Sequence, residues 1–383
     1  MASFTSKTTD LQALVTKAIK GASNSKFNTL TSLINVEVTG NTIKMTTTDS
    51  NNYFTVCGTV NASEDMSFTV LVDKFSKLIT KMTTENITVK VTDDVISVTG
   101  NGTYKIPIQL DVDGTPIKYP KHEINTPDDT GTLKTAVIKS ILIHNKPSLA
   151  VTMSIPCLTG YLCAKEGVFS GDNFNVCVNK VKTFNKPLLV PPIVFDLLSM
   201  CPEEEISYKT FGNTAIFETA TIKLYAVMMD GIEVYPKDTL LKIAALEYPS
   251  TCTIPKTTIL NIVDRMCLFI DDDDEFGMFF TFTKDGIKVE SEKQSGIESV
   301  SYQGSTNFKD FTCFVNIDSF KKQLNARTEE SIVLCYGTSE SFAIKDSTIV
   351  QVISLLDDPR GTVEEESASD DDDFVNNTDD IPF

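Results

Sequence analysis

The spacing of apolar residues along the chain predicts a protein built mostly of β-strands. Apolar and polar residues alternate through residues 87–91 and again through residues 104–110. Alternation at period two is typical of a strand with one buried face. Apolar residues recur at helical spacing in residues 11–19, which Gly21 closes, and in residues 75–82. The pattern therefore predicts extensive sheet with a few short helices.

Three stretches of the chain share one order of predicted elements: an apolar strand, a short helix, an acidic turn and three strands. These stretches are residues 68–111, 187–230 and 311–358. A helix followed by strands also precedes each of them, near residues 8–20, 132–144 and 255–267. The period of about 120 residues is far longer than a solenoid repeat, so the repeated units are whole domains.

We therefore predict an α+β protein of three tandem domains, each with two helices backed by antiparallel sheet. The predicted domains are residues 1–125, 126–246 and 247–358. Residues 359–383 differ in composition, because they contain nine acidic residues, no base after Arg360 and few apolar side chains. Such a segment is predicted to be a disordered acidic tail.

The composition excludes several classes of protein. No apolar run approaches the roughly 18 residues of a membrane span, and the N-terminus has no signal-peptide pattern, so export is not expected. The nine cysteines include no C-x-x-C pair, which favours reduced structural thiols in the cytoplasm. The two histidines, His122 and His144, have no neighbouring metal-ligand pattern. We expect no metal site, no cofactor and no catalytic triad.

The formal net charge of −18 argues at first against a nucleic-acid-binding protein. The distribution of charge reverses this interpretation. The six predicted helical segments carry about +9 in total, and the rest of the chain carries about −27. A single lysine on a helix is usually only a solvated residue. Basic residues on five of six repeated helices, with only residues 191–200 lacking a base, predict one shared surface that faces a polyanion.

The composition of this basic surface favours duplex DNA over other polyanions. Few aromatic residues accompany the lysines, so stacking on single-stranded bases is not indicated. No helix is rich in the Arg and Asn residues that read base edges. The surface is therefore expected to contact phosphates without regard to sequence.

Three tandem domains with basic helix faces resemble the bacterial-type DNA polymerase III β sliding clamp, a processivity factor. The resemblance covers residues 1 to about 356. It is carried by FTVLVDKFSKLITKM at residues 68–82, by the close of the first domain at Tyr119-Pro120, by GVFSGDNFNVCV at residues 167–178 and by VMMDGIEVYP at residues 227–236. Asn173 stands where the family usually has glycine.

The resemblance implies a non-enzymatic homodimer, joined head to tail into a ring of six domains that encircles double-stranded DNA. Helices would line the hole and sheets would form the outer wall. Such a ring would tether a DNA polymerase and would be placed on DNA by a clamp loader. The residues then expected to contact DNA are Lys17, Lys20, Lys26, Lys77, Lys81, Lys139, Lys146, Arg265 and Lys322.

The family's pocket for short apolar partner peptides lies between the second and third domains. Carried over by position, its wall comprises Gly171, Asn173, Phe174, Asn175, Val176, Ile243, Ser339, Ser341, Val352 and Ser354. Val176 and Val352 fit an ordinary core equally well. Asn175 replaces the family's arginine, Ile243 replaces its linker proline, and a VISL run replaces its Met-Pro-Met-Arg run. The peptide preference is therefore expected to differ from that of a host clamp.

The resemblance also places the joint between subunits. Tyr104 and Ile106, on an edge strand, are expected to meet Leu268 and Phe269 of the neighbouring subunit. The acidic run at residues 271–275 follows directly. Calcium binding there is conceivable, but the run lacks alternating ligand spacing and a glycine turn, so a solvated loop is favoured.

The extreme C-terminus carries a second resemblance. Asp379, Asp380, Ile381, Pro382 and Phe383 resemble the acidic tip of bacterial single-stranded DNA-binding proteins, which partner proteins bind. Clamps of this family ordinarily end near residue 356. The tail and the altered pocket together indicate a clamp encoded by a phage or mobile element, working in the bacterial host cytoplasm.

Two other classes of function fit the sequence less well. A single-stranded DNA-binding or recombination mediator protein could use the acidic tail to hold its partners, but the basic helices have few aromatic residues. A nuclease or hydrolase would need a phosphate loop, a nucleophile elbow or paired acids, and the sequence contains none of these patterns.

Overall fold

A computed structural model of the chain describes residues 2–23, 28–115, 117–172, 174–270, 277–293, 295–302, 304–306 and 310–360. These residues form antiparallel sheets with a few short helices. The predicted α+β class is confirmed.

The first domain contains two copies of one unit, in which a strand is followed by a helix and then by antiparallel strands. The first copy comprises β1 (Ser3–Lys7), α1 (Thr8–Ala18), β2 (Leu33–Thr39), β3 (Thr42–Thr48), β4 (Tyr53–Thr59) and the short β5 (Asn61–Ala62). The second copy comprises β6 (Met66–Leu71), α2 (Val72–Thr80), β7 (Asn86–Val91), β8 (Val95–Thr99) and β9 (Thr103–Pro107). Because β1 pairs with β7 and β2 pairs with β6, each sheet takes strands from both copies.

The second domain repeats this arrangement. Its first copy comprises β10 (Asp129–Lys134), α3 (Thr135–His144), β11 (Tyr161–Ala164), β12 (Gly167–Gly171) and β13 (Asn175–Asn179). Its second copy comprises β14 (Leu188–Val190), α4 (Pro192–Leu198), β15 (Glu205–Phe211), β16 (Thr214–Glu218) and β17 (Ile222–Val227). The pairs β10–β15 and β11–β14 correspond to the two pairs of the first domain.

The third domain follows a connecting helix, α5 (Lys237–Ala244). Its first copy comprises β18 (Ser250–Pro255), α6 (Lys256–Met266), β19 (Gly277–Phe282), β20 (Gly286–Ser291), β21 (Ile297–Ser301) and β22 (Gly304–Thr306). Its second copy comprises β23 (Phe311–Asn316), α7 (Ile317–Asn325), β24 (Ser331–Tyr336), β25 (Ser341–Lys345) and β26 (Ile349–Leu356). The pairs β18–β24 and β19–β23 repeat the pattern again.

The three domains are joined by strand pairing that makes the sheets continuous from one domain to the next. At the first junction β4 pairs with β17, with Phe54 opposite Leu224. At the second junction β13 pairs with β26, with Val176 opposite Val352. Each junction pairs the last strand of a second copy with the third strand after the helix of a first copy. Strand β9 has the same position in the first domain as β17 and β26 have in theirs, and β21 has the same position in the third domain as β4 and β13. Both β9 and β21 lie at the ends of their sheets.

The structure differs from the sequence prediction in two elements. The helix predicted from residue 132 begins at Thr135, because residues 129–134 pair with β15 as a strand. Helix α5 was not predicted, since its eight residues are too few for a clear period and only Leu240 is buried. The helices predicted near residues 8 and 255 begin within one residue of these positions, at Thr8 and Lys256.

Candidate functional site

The helices pack in pairs, one pair for each domain. In the first domain the side-chain amide of Gln12 on α1 donates hydrogen bonds to the carbonyl oxygens of Ile79 and Met82, at 3.0 and 2.9 Å, which fastens α1 to the end of α2. Val15 and Phe75 are fully buried on the sheet side. This burial leaves the polar faces of both helices outward, as helical periodicity requires.

The structure places the predicted DNA-contacting residues that it describes on these helices or just after them, with Lys20, Lys81 and Lys146 beyond the ends of α1, α2 and α3. Seven are exposed: Lys20, Lys77, Lys81, Lys139, Lys146, Arg265 and Lys322. Lys17 is half-buried, and Lys26 lies outside the described residues. The predicted surface is therefore a set of helix-borne cations rather than a cleft.

Three of these cations already have acidic partners within the protein. Lys77 Nζ lies 2.8 Å from Asp73, and Lys146 Nζ lies 2.7 Å from Asp196. Arg265 donates two hydrogen bonds to Glu298, with the shorter at 2.5 Å, and this contact lowers the pKa of the Glu298 carboxyl. Asp196, on the helix that lacks a base, has its cationic partner in the segment after α3.

Arg327 does not belong to this surface, although the sequence count of helical charge included it. Its side chain is only 2% exposed and forms ion pairs with Asp346 and with Glu329, the latter at 3.2 Å. Burial alone would raise the pKa of Asp346. The backbone amides of Thr348 and Ile349, the Thr348 hydroxyl and Arg327 outweigh this effect and hold the pKa below its usual range. Arg327 is thus a buried structural cation of the third domain.

The predicted partner pocket lies around the second junction between domains, and helix α5 covers part of it. Val176 and Val352 lie opposite each other in the paired strands, 7% and 2% exposed, and pack in one cluster with Leu240 of α5. The half-buried Ile243 packs against the same cluster. At Gly171 a Cβ atom would lie 3.3 Å from Leu240, so the absence of a side chain lets α5 pack closely.

Of the other predicted pocket residues, some lie at the surface of the second junction and Asn175 is buried beside α7. Phe174 is 45% exposed, and its carbonyl oxygen accepts a hydrogen bond of 2.8 Å from the Ser354 amide. The Ser341 hydroxyl is 2.9 Å from that of Tyr248, and Ser339 is exposed in the preceding turn. Asn175 is buried and its amide donates to Asp172 and to Ser319 of α7. The structure therefore does not bring Asn175 to the face formed by Val176, and Asn173 lies outside the described residues.

A loop that the sequence prediction missed completes this surface. A cavity of about 170 Å³ lies between the loop at residues 150–158 and the turn that carries Asp172 and Phe174. Val151 and Met153 in this loop are 96% and 68% exposed. The alternation of Val151, Met153 and Ile155 with polar residues resembles a strand, which is why the sequence did not single out an apolar loop.

The residues predicted for the subunit joint lie at the two open sheet ends. Tyr104 on β9 is 43% exposed, whereas Ile106 is buried in its own domain. Leu268 and Phe269 lie in a short 3₁₀ turn after α6 and are 79% and 45% exposed. A Cβ atom at Gly296, just before β21, would lie 3.0 Å from the Phe269 ring, which places this turn beside the open strand.

Two predicted features lie outside the described residues. These are the acidic run at residues 271–275 and the C-terminal tip formed by Asp379, Asp380, Ile381, Pro382 and Phe383. Among the residues that are described, no group of three or more potential metal ligands is present. None of the described helices is long and apolar enough to span a membrane. All nine cysteines are free thiols.

Comparison with solved structures identifies the fold. A DNA polymerase sliding clamp from Bacillus subtilis superposes with a TM-score of 0.79 and 15% identity, over 93% of this chain and 99% of that one. The β subunit of DNA polymerase from Streptococcus pyogenes gives 0.81 and 16%, over 92% and 99%. A Helicobacter pylori β clamp bound to a DNA ligase peptide gives 0.77 and 20%, over 92% and 99%.

The chain therefore has the three-domain fold of the bacterial DNA polymerase β sliding clamps along nearly its whole described length. No protein-family model and no curated protein sequence matches the chain. The likeness thus lies in the structure, because identities of 13–20% leave little of the sequence in common.

Proposed function

We propose that this protein is a DNA sliding clamp: a head-to-tail homodimer that encircles duplex DNA and tethers a DNA polymerase during replication. One observation carries the proposal. The chain makes the same strand junction twice, β4 with β17 and β13 with β26, and leaves open the two strands, β9 and β21, that would make it a third time.

Two copies of the chain can satisfy both open strands at once. Strand β9 of one protomer would pair with β21 of its partner, and a second identical joint would close the ring. An unpaired edge strand is a template for such pairing, and a heterologous contact that closes gives a ring. The exposed Tyr104, Leu268 and Phe269 lie where this joint would bury them. The domain limits near residues 125, 246 and 358 belong to the same proposal.

The helix faces would then form the lining of the ring. A ring holds DNA topologically, so its lining needs only weak and sequence-independent attraction to phosphate. Lysine side chains suit this task, because their ammonium groups do not impose the fixed geometry of an arginine fork. The protein would act without catalysis, in the cytoplasm of a bacterial host, after placement on DNA by a clamp loader.

Partner proteins would bind at the second junction through a short apolar peptide. The exposed Phe174 and the loop at residues 150–158 supply the accessible apolar surface there. The acidic tip at residues 379–383 would recruit further replication proteins, as its resemblance to single-stranded DNA-binding proteins implies. These features, together with the changed pocket residues, support an origin in a phage or mobile element.

Covalent closure of the proposed joints tests the ring. Lys105→Cys and Ser299→Cys place thiols on two exposed residues of β9 and β21. The partly exposed Cys57 and Cys267 are changed to serine in the same chain. The protein is incubated with nicked circular plasmid, treated with a bismaleimide and denatured in SDS. We expect crosslinked protein to stay on the circle and to be released when the plasmid is cut once.

The variant with Lys105→Cys alone is the matched control and should leave the circle on denaturation. Crosslinked dimers that leave circular and linear plasmid equally would contradict the proposal. Stronger retention on a single-stranded circle than on the nicked duplex would instead support the alternative function, that of a single-stranded DNA-binding or recombination mediator protein.

The proposed role of the tail is tested with a chain that lacks residues 379–383. Tagged full-length and shortened proteins are used to capture proteins from infected or host-cell extract, and captured proteins are quantified by mass spectrometry. We expect the shortened chain to lose replication proteins while the dimer persists. Unchanged capture would show that the tip has no recruiting role.

A further inference from the structure

An apolar surface at the second junction is open to solvent in the described chain. Val151 and Met153 of the loop at residues 150–158 are 96% and 68% exposed, and Ile155 and Phe174 are 47% and 45% exposed. Val151, Ile155 and Phe174 line one cavity of about 170 Å³ and therefore form a continuous surface. Such surface gains free energy when an apolar group covers it, and it is typical of a binding site.

The cavity has room for one aromatic side chain. An apolar cavity of about 150 Å³ can hold a benzene ring, and this cavity is slightly larger. The carboxylate of Asp172 is also in the wall, but it already accepts hydrogen bonds of 2.7 and 2.6 Å from the backbone amides of Phe174 and Asn175. These bonds compensate its charge, so the apolar part of the wall decides what the cavity holds.

The chain leaves the third domain beside this cavity. The amide of Ser354 donates a hydrogen bond of 2.8 Å to the carbonyl oxygen of Phe174, so β26 passes directly next to the wall. The described chain then continues to Arg360, whose guanidinium lies 3.3 Å from the centroid of the Phe279 ring. Because the six residues that follow Ser354 span at most about 20 Å, the acidic tail starts close to the cavity.

The tail contains an apolar segment that can reach the cavity. This segment is Ile381-Pro382-Phe383, and twenty residues separate it from Arg360. A chain of that length has a root-mean-square span of about 25 Å as a random coil and reaches about 65 Å when extended. Its effective concentration at a site beside its own attachment point is millimolar. Pro382 fixes part of the backbone and so lowers the entropy lost on binding.

Other exposed apolar residues of the described chain suit the tail less well. Leu268 and Phe269 lie at the proposed joint, which would cover them. Ile232 is 37% exposed beside a second cavity, whose wall includes the carboxylates of Glu233 and Asp238. An acidic segment is repelled by such a wall. The cavity beside Phe174 is therefore the favoured position.

We infer that Ile381-Pro382-Phe383 occupies the cavity beside Phe174 in its own subunit and blocks the partner peptide until another protein binds the tail. This inference rests on the proposed function, because it concerns the pocket proposed there for partner peptides. The segment cannot bind its own cavity and another protein at the same time. Recruitment of a protein through the tail would therefore open the pocket, and the two kinds of partner binding would be coupled.

A labelled peptide tests whether the cavity is blocked. The probe is NNTDDIPF, the sequence of residues 376–383, with fluorescein at its N-terminus, and its binding is measured by anisotropy. The unmodified protein is compared with a full-length variant that combines Ile381→Ser and Phe383→Ser. The matched control combines Phe374→Ser and Val375→Ser. Both variants lose one aromatic and one branched side chain from the tail.

We expect the first variant to bind the probe at least about tenfold more tightly than the unmodified protein, because its own tail no longer competes at millimolar effective concentration. The control should bind the probe as weakly as the unmodified protein does. Equal binding by all three proteins, no binding by the first variant, or binding by the control as tight as that of the first variant would overturn the inference.

Further substitutions in the first variant locate the contact. Phe174→Asp should weaken probe binding at least about tenfold, because a carboxylate replaces apolar surface in the wall. Phe211→Asp is its control, since Phe211 is 57% exposed elsewhere in the second domain, and it should change binding less than about twofold. Val151→Asp repeats the test at a residue that is 96% exposed and does not stabilise the fold. Equal effects at all three residues would overturn the inference.

The two proposals fail in different ways. If the unmodified protein is not retained on circular plasmid but the tail variants differ as expected, the clamp function is wrong and the contact between tail and cavity stands. If retention is observed and the tail variants bind the probe alike, only the contact between tail and cavity is wrong.

Discussion

At the scale of single residues, Arg327 shows that a basic residue in a helical segment need not belong to the exposed basic surface. From the sequence, Arg327 is expected to belong to the basic helix faces, because it lies just after α7 in a segment with Lys321 and Lys322. The structure buries it against Asp346 and Glu329. A buried charge is stable only with its partner in place, so its role is in folding.

Asp346→Asn should therefore destabilise the third domain. The change leaves the Arg327 charge buried with weaker compensation, and breaking a buried pair costs about 3 kcal/mol. Chemical denaturation should show this loss. Asp73→Asn is the matched control, because its pair with Lys77 is exposed and is worth less than about 0.5 kcal/mol.

The lowered pKa of the Asp346 carboxyl also predicts how stability depends on pH. Its pKa is lower in the folded protein than in the unfolded chain, where it is about 3.9. The stabilisation is complete above that value and is lost as pH falls through the lower folded pKa. Between pH 5 and 2 the loss of stability should be smaller in the Asp346→Asn variant than in the unmodified protein. Equal losses would contradict this assignment.

At the scale of elements, β21 depends on close backbone contact with β20. Gly286 pairs with Ser301, and a Cβ atom at Gly286 would lie 2.0 Å from the Val300 carbonyl oxygen. Any side chain there must push the two strands apart. Because β21 is one of the two strands proposed to close the ring, this local packing bears on assembly.

Gly286→Ala should therefore weaken both the third domain and the dimer. Overpacking of this kind costs about 1–3 kcal/mol, and displacement of β21 should raise the dimer dissociation constant at least tenfold. Analytical ultracentrifugation measures the dissociation constant. Gly212→Ala is the control: its φ of +56° strains a side chain, but nothing lies within 4 Å of the added atom. If the two variants have equal dimer dissociation constants, β21 does not take part in the joint.

At the scale of the whole molecule, the proposed ring depends on surface that a single chain leaves exposed. Leu268 is 79% exposed in the described chain and precedes Phe269, whose ring lies against Gly296 just before β21. An apolar side chain so placed gains free energy only when a partner covers it. Its substitution should therefore affect assembly without affecting the fold of the protomer.

Leu268→Asp should convert the protein into folded monomers. A carboxylate buried at the joint without a partner opposes pairing, so light scattering should report one chain in place of two. Val234→Asp introduces the same charge in the second domain, at a residue that is 69% exposed, and should leave the dimer intact. If the Leu268→Asp variant forms a dimer as stable as that of the control, the joint does not include Leu268.

Elements with a long apolar period could be predicted from the sequence, and elements without one could not. The alternation at residues 87–91 and the helical spacing at residues 75–82 predicted the strand and helix found there, because strands and helices that pack on a core repeat their apolar residues at fixed intervals. Helix α5 and the apolar loop at residues 150–158 escaped prediction. Helix α5 is too short to show a period, and the alternation of apolar residues in the loop resembles a strand, while both take their place from packing at the second junction.

The sequence by itself determined the α+β class, the threefold repeat and the segregation of basic residues to the helices, since all three follow from local residue patterns. Only the tertiary structure decided which strands join the domains and which two remain open. It also decided which lysines have acidic partners: Lys146 and Asp196 are 50 residues apart, and nothing in the spacing of either residue indicates the other. Such pairings depend on how distant segments pack together, and local sequence patterns carry no information about that packing.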